Sequence, residues 1–342
     1  MAQNFLTKNW KVLAGIAGFL AVREVLQRRK LIDVQGQVVL ITGGGRGFGL
    51  ALAEEFAKAG SRLALCSRDQ DELDSARQKL TALGAQVFTV QCDVTHPEQV
   101  HQLVTRTTEH FGRIDILVNN AGIISTGPWQ TLTRDDFEES MDIIFWGTYN
   151  TTMAVLPQMT ERKNGRIVNI ASVGGKASIP HLLSYSTAKF AVEGFSTGLH
   201  AELAKDGIVV TTVSPGLMRT GSAGNAIVKG NEHQQEYALF ALADSLPGLS
   251  IDVRRAARQV FNATRRGETD VIITYQAQIL GRLFGAFPGL TTDLLSVVNR
   301  FLPSGEGQGT ARYTGKGSET PVSQSFLTGL NQKAADRYNE NL

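Results

Sequence analysis

From Gln37 onward the chain alternates short, nearly continuous apolar runs with longer amphipathic stretches. The runs are Val38–Thr42, Arg62–Ser67, Val87–Cys92, Ile114–Asn119, Arg166–Ala171, Val209–Ser214 and Asp270–Thr274. They are rich in Val, Ile and Leu, as strands buried on both faces require. Helical periodicity falls between them near Phe48–Lys58, Asp69–Leu83, Pro97–Phe111, Arg134–Met159, Tyr185–Lys205 and Val253–Arg265. Each of these segments is long enough to cross over. The pattern therefore predicts an α/β fold with a doubly wound, Rossmann-like parallel sheet of about seven strands. No internal repeat or low-complexity tract interrupts it.

Three stretches depart from this rhythm. Residues 217–250 are rich in Gly, Ala and Leu without strand periodicity, and read as a lid or substrate loop inserted in a catalytic domain spanning 35–275. Residues 276–342 form an extension with a second amphipathic region to Leu302 and a short helical end near Gln332–Tyr338, of no legible function. Residues 1–34 hold the apolar run Val12–Val22, shorter than the roughly 20 residues a membrane span needs. Lys8 and Lys11 precede that run, and Arg23, Arg28, Arg29 and Lys30 follow it. Residues 5–30 are thus read as a helix on a membrane surface, a short span, or a helix packed on its own domain or a partner. If it spans, the basic excess after the run keeps the catalytic body in the cytosol.

Composition narrows the function classes. At 342 residues, 42% apolar and 19% charged, the chain has material for a full core, which excludes disordered and fibrous classes. A net charge of +2 gives no basic face for nucleic acid. Cys66 and Cys92 lie in apolar runs and have neither a disulfide framework nor metal spacing around them. They read as buried thiols in a reducing, cytoplasmic compartment.

The chemistry collects at predicted strand ends. Val38–Thr42 runs into Thr42-Gly43-Gly44-Gly45-Arg46-Gly47-Phe48-Gly49 and then an alanine-rich helix. Strand, glycine turn and helix in that order let a backbone approach a dinucleotide pyrophosphate at a helix N-terminus. After the second strand, where an acidic residue would bond the ribose of NAD, stand Ser67 and Arg68. With Arg46 and Arg68 both near the place of a 2′-phosphate, NADP(H) is the expected cofactor. Asp93 and Val94 end the third strand, Asp93 placed to accept from the adenine amino group. Asn119, Asn120, Ala121 and Gly122 end the fourth, with the Asn side chains placed to tie neighbouring strands. Ser172 ends the fifth, thirteen residues before Tyr185, and Lys189 follows one helical turn later. On one helix face the ammonium can approach the phenol and lower its pKa, while Ser172 holds a substrate oxygen during hydride transfer.

In these motifs the chain resembles the short-chain dehydrogenases/reductases. Thr42-Gly43-xxx-Gly47-x-Gly49, Asn119-Asn120-Ala121-Gly122, Ser172, Tyr185-xxx-Lys189 and Ser214-Pro215-Gly216 fall in that family's order, over residues 35–275. The resemblance implies a single Rossmann-like domain, Tyr185 as acid/base, Ser172 orienting the carbonyl or alcohol, and Lys189 also holding the nicotinamide ribose. It places Pro215, Gly216 and Thr220 at the nicotinamide end and implies homodimers or homotetramers through the helices around 134–159 and 185–205. In the family, arginines placed as Arg46 and Arg68 are here accompany NADP(H).

One position departs from the family pattern. Met141-Asp142-Ile143-Ile144-Phe145-Trp146-Gly147 puts Ile144 where relatives carry an Asn thought to hold a water between the lysine and solvent. An isoleucine side chain cannot bond water. The sequence reading is therefore an NADP(H)-dependent reduction of a hydrophobic ketone or aldehyde, Leu217, Met218, Ala226, Ile227, Leu239, Phe240 and Leu242 making the insertion apolar. Two alternatives stay open, an NAD-linked alcohol dehydrogenase and a weakly catalytic NADP(H)-binding regulatory or scaffold protein. His181 and His233 read as ordinary loop residues, and Phe145 and Trp146 as core or interface.

Overall fold

A computed structural model of the chain describes residues 31–307, 309–325 and 328–342. The expected membrane-associated segment, 5–30, lies outside the described residues. Strands β1 (Val38–Thr42), β2 (Arg62–Ser67), β3 (Val87–Gln91), β4 (Ile116–Asn119), β5 (Gly165–Ile170), β6 (Ile208–Pro215) and β7 (Asp270–Ile273) form one sheet in the order β7-β6-β5-β4-β1-β2-β3. Every pairing is parallel, with Val39 beside Leu63 on one side and Ile116 on the other. Chain order reverses between β1 and β4, which opens a crevice at their carboxyl ends.

Alternation along each strand feeds two cores. Val39, Ile41, Leu63 and Leu65 face helix α1 (Gly47–Lys58) and the helix Val253–Arg266. Val38, Leu40, Ala64 and Cys66 face the helices Pro97–Phe111 and Gly147–Arg162. Both sheet faces are covered, so the strands carry no solvent side and their hydrophobic runs are continuous. Helix α2 (Gln70–Ala82) starts at Asp69, whose carboxylate accepts from Asp71 N and Glu72 N, satisfying two of the free N–H groups of its first turn.

The helix expected over 134–159 is not continuous. It runs as Arg134–Ser140, a π-helical turn Met141–Trp146 and then Gly147–Arg162. Such turns insert a residue into the helical ladder and are frequent at functional sites. The insertion, expected without strands, contains regular elements. It carries the short strands Met218–Arg219 and Ile227–Lys229 and the helix His233–Ser245. Ile227–Lys229 pairs in parallel with Ser125–Thr126 and antiparallel with Arg312–Thr314, making a second small sheet. A buried ion pair, Lys229 Nζ to Asp136 Oδ2 at 2.9 Å, and a buried hydrogen bond between His181 Nδ1 and Glu236 Oε2 at 2.7 Å pin it to the main body. His181 is thus a structural anchor, with Glu236 also accepting from Thr126 Oγ1 at 2.7 Å. Strand pairs this short carry too little local pattern to show in the sequence.

The extension past Tyr275 forms the helices Tyr275–Ala286 and Pro288–Asn299, and after the small-sheet strand, the helix Gly329–Arg337. That last helix returns the C-terminus to the start of the fold, and Tyr338 is buried in the same core as Val39 and Phe56. Among the described residues no helix is long and apolar enough to cross a membrane.

Candidate active site

The glycine turn lies where β1 meets helix α1. Gly49 has no room for a side chain, since a Cβ there would stand 2.0 Å from the Gly43 carbonyl oxygen. The turn is held from β4: Asn120 Nδ2 donates to the carbonyls of Thr42 at 3.0 Å and Gly43 at 3.2 Å, and Thr42 Oγ1 accepts from the backbone N–H of Asn120 and Ala121. Asn119 Nδ2 donates to Asn169 Oδ1 on β5 at 2.8 Å. The asparagines tie adjacent strands, as their position at the strand ends suggested.

A cleft of about 790 Å³ runs along these strand ends. It brings together Gly43, Arg46, Gly47, Phe48, Ser67, Arg68, Asp93, Val94, Asn120, Ala121 and Gly122 with Ser172, Tyr185, Lys189, Pro215, Gly216 and Thr220. Thr42 and Gly49 stand behind its wall as supports. Volume, glycine turn and convergent polar groups fit a nicotinamide dinucleotide.

At one end of the cleft, Ser172 follows β5 and caps a short turn by accepting from Gly174 N at 3.0 Å, while its hydroxyl hydrogen-bonds the phenol of Tyr185. Tyr185 and Lys189 project from one face of the helix Leu183–Leu203, with the Lys189 Nζ 5.7 Å from the Tyr185 ring centre. The ammonium donates to the Ile170 carbonyl at 2.7 Å. The expectation that the lysine lowers the phenol pKa is not met. Burial raises it, the Ser172 hydrogen bond opposing, and burial lowers Lys189 to about 8. Loss of water costs the phenolate more than its neighbours return, so the phenol keeps its proton at neutral pH.

Ile144 sits on the π-helical turn, 1% exposed, packed with Ala171, Ala188 and Val192. Its carbonyl accepts from Thr148 Oγ1 at 2.8 Å. Apolar packing therefore fills the place of the family's Asn.

At the other end, the sequence suggested arginines with no opposing carboxylate, and the structure corrects this. Glu72, in the first turn of α2, reaches back so that its Oε2 accepts from Ser67 Oγ and its Oε1 pairs with Arg46 Nη1, both at 2.8 Å. Asp69 had set that first turn against the strand end, a placement that a carboxylate five residues past Ser67 could have signalled. Arg68 is 63% exposed, with its Nη1 3.9 Å from Asp93 Oδ2. Asp93 accepts from both the backbone and the hydroxyl of Thr95. Thr220 is buried and bonds Ser222.

Two further groups had no signal in the sequence. Asp244, on the helix His233–Ser245, is buried at the cleft wall, accepts from Met218 N at 3.1 Å and is raised to about 7, chiefly by burial. Glu340, near the C-terminus, reaches the glycine turn, its Oε2 lying 3.5 Å from Arg46 Nε. A Cβ on Gly47 would stand 2.2 Å from Glu340 Oε1.

Residues 37–229 match the family model for short chain dehydrogenases. The chain belongs to that family. It is 36% identical over 252 residues to the dehydrogenase/reductase SDR family protein 7-like of Anopheles gambiae, covering 72% of this chain and 78% of that one. A short-chain dehydrogenase/reductase from Burkholderia phymatum, solved in complex with NAD, superposes with a TM-score of 0.70 at 26% identity, over 76% of this chain and 96% of that one. A variant of actinorhodin polyketide ketoreductase, solved with NADPH, gives a TM-score of 0.63 at 29% identity, over 70% of this chain and 95% of that one. The chain is thus an oxidoreductase of the short-chain family with a single α/β domain.

Proposed function

We propose that the protein is an NADP(H)-dependent reductase that converts a hydrophobic ketone or aldehyde to its alcohol. The convergence of Ser172, Tyr185 and Lys189 at one end of a cleft that begins at the glycine turn carries this reading. Ser172 orients the carbonyl oxygen toward the phenol. Tyr185, protonated at neutral pH, donates its proton to that oxygen as the alcohol forms. Lys189 stands below to restore the proton and to bind the ribose hydroxyls. When bound, the dinucleotide supplies the hydride. Arg46 and Arg68 would hold a 2′-phosphate, and Pro215, Gly216 and Thr220 would frame the nicotinamide.

The apolar wall formed by Leu217, Met218, Ala226, Phe240, Leu249 and Leu280 supports a hydrophobic substrate. Trp146, 46% exposed, with Met153 and Phe190 on the two long helices, supports a homodimer or homotetramer through them. A second reading, an NAD-linked enzyme, is favoured by the pairing of Arg46 with Glu72 and Glu340, which offsets its charge. A panel of carbonyls followed through absorbance of NADPH and of NADH separates the readings. Consumption of apolar ketones or aldehydes faster with NADPH supports the proposal. Turnover confined to small polar carbonyls removes the substrate class, and a preference for NADH removes the cofactor assignment.

A further inference from the structure

Residues 338–340 are buried against the body of the fold. Helix Gly329–Arg337 packs against the insertion, where Gly221 N donates to Asn331 Oδ1 at 2.7 Å, and hands the chain to the glycine turn. There the Tyr338 carbonyl accepts from Gly47 N–H at 2.8 Å and Asn339 Nδ2 donates to the Gly45 carbonyl at 2.9 Å. Asn339 Oδ1 also accepts from Ser75 Oγ at 3.1 Å, and Lys79 Nζ donates to the Arg337 carbonyl at 2.9 Å. Glu340 follows, 3% exposed, its carboxylate against Gly47 at the start of α1. Asn225 Nδ2 donates to its carbonyl at 3.0 Å and to its Oε2 at 2.7 Å.

A helix N-terminus with a glycine at its first turn is an anion seat, and in a dinucleotide fold the pyrophosphate takes it. Here the chain's own carboxylate fills the space over Gly47, and the chain's own carbonyl takes its N–H. We propose that Glu340 is an internal competitor for the cofactor pyrophosphate, and that dinucleotide binding requires this C-terminal strap to release the glycine turn. This rests on the dinucleotide reading above, and deepens it by naming the residue that sets cofactor affinity.

The groups facing Glu340 come from every side. Arg46 of the glycine turn and Lys316 of the short turn Lys316–Ser318 attract its charge, while Glu72 of α2 repels it. The buried Asp244 of the insertion is raised in part by the charge of Glu340. Burial outweighs the attraction and raises Glu340 to about 6. Below that pH the seat holds a neutral acid, and above it a carboxylate that repels pyrophosphate. Affinity for a dinucleotide therefore falls as pH rises through 6.

The test is titration of NADPH and NADH into wild type, Glu340→Gln and Glu340→Ala between pH 5 and 8.5, read by protein fluorescence. The ratio of dissociation constants, wild type over Glu340→Gln, cancels the proton on the cofactor's own 2′-phosphate. It is expected near one at pH 5 and at least about tenfold by pH 8, since each pH unit above the pKa removes tenfold of the neutral form. Hydrogen exchange of wild type gives a second readout that needs no variant, with saturating dinucleotide speeding exchange over residues 338–342. A ratio that stays at one with unchanged exchange overturns the proposal, as does weaker binding by Glu340→Gln, which would make the carboxylate a cofactor ligand. Failure of both dinucleotides to bind wild type and both variants overturns the dinucleotide reading itself, and the competition with it.

Discussion

Lys189 is a buried cation with one protein hydrogen bond, and it ought to cost the fold stability. Its pKa falls from an ordinary 10.5 to about 8. At about 1.4 kcal/mol per pH unit that burial costs the folded state about 3 kcal/mol below pH 8. Replacing it by Met keeps the length of the stem and removes the charge, at the loss of the charge-assisted bond to the Ile170 carbonyl, worth about 1.5 kcal/mol. Lys189→Met should therefore be more stable than wild type by about 2 kcal/mol at pH 7, while turnover is lost. The sign reverses with pH in a defined window. Between pH 8 and 10.5 the unfolded lysine holds its proton and the folded one releases it, so wild-type stability rises with pH relative to the variant. Urea unfolding of both proteins, without cofactor, at pH 7, 8, 9 and 10 measures this. The advantage of Lys189→Met should shrink steadily and vanish between about pH 9 and 10. A variant less stable than wild type at pH 7, or an advantage that does not change with pH, refutes the reasoning.

Other outcomes follow from the same geometry. Ile144→Asn should raise steady-state NADPH turnover by restoring a polar side chain above Lys189, while the amide placed among Ala171, Ala188 and Val192 costs about 1–3 kcal/mol in urea unfolding; an unchanged or lower rate argues against a proton-relay gap. Arg68→Asp should weaken NADPH at least about tenfold and leave NADH nearly unchanged, and Glu72→Gln should strengthen NADPH by freeing Arg46, both read by fluorescence titration. Gly49→Ala drives a methyl into the Gly43 carbonyl, so it should abolish dinucleotide binding and lower the melting temperature, as calorimetry would show.

The strands were legible because a parallel sheet covered on both faces has no polar alternation to blur it. Val38–Thr42 and Arg62–Ser67 appear in the sequence with the bounds they have in the fold. The site residues were legible for a related reason, since Asn120, Ser172 and Pro215 all stand at or just beyond strand ends and the sheet collects those ends in one crevice. What escaped detection depends on contacts that leave no local trace. The bond from Asn339 to Gly45 spans 294 residues, and nothing in the composition of the tail marks it. Glu72 is an ordinary first-turn acid until α2 docks against β2. The π-helical turn at Met141–Trp146 interrupts a stretch whose apolar periodicity reads as one helix. Spacing alone gives the wrong direction for the Tyr185 shift, because it shows which groups are neighbours and leaves out how far each is removed from water.

The proposed reduction turns on a proton moving from Tyr185 to a substrate oxygen. Single-turnover reduction of an apolar ketone by protein preloaded with NADPH, in wild type and Tyr185→Phe, tests that step apart from binding and release. Equal NADPH affinity and a rate at least about a hundredfold slower are expected in the variant; a Tyr185→Phe protein that reduces the ketone at the wild-type rate would remove Tyr185 as the proton donor.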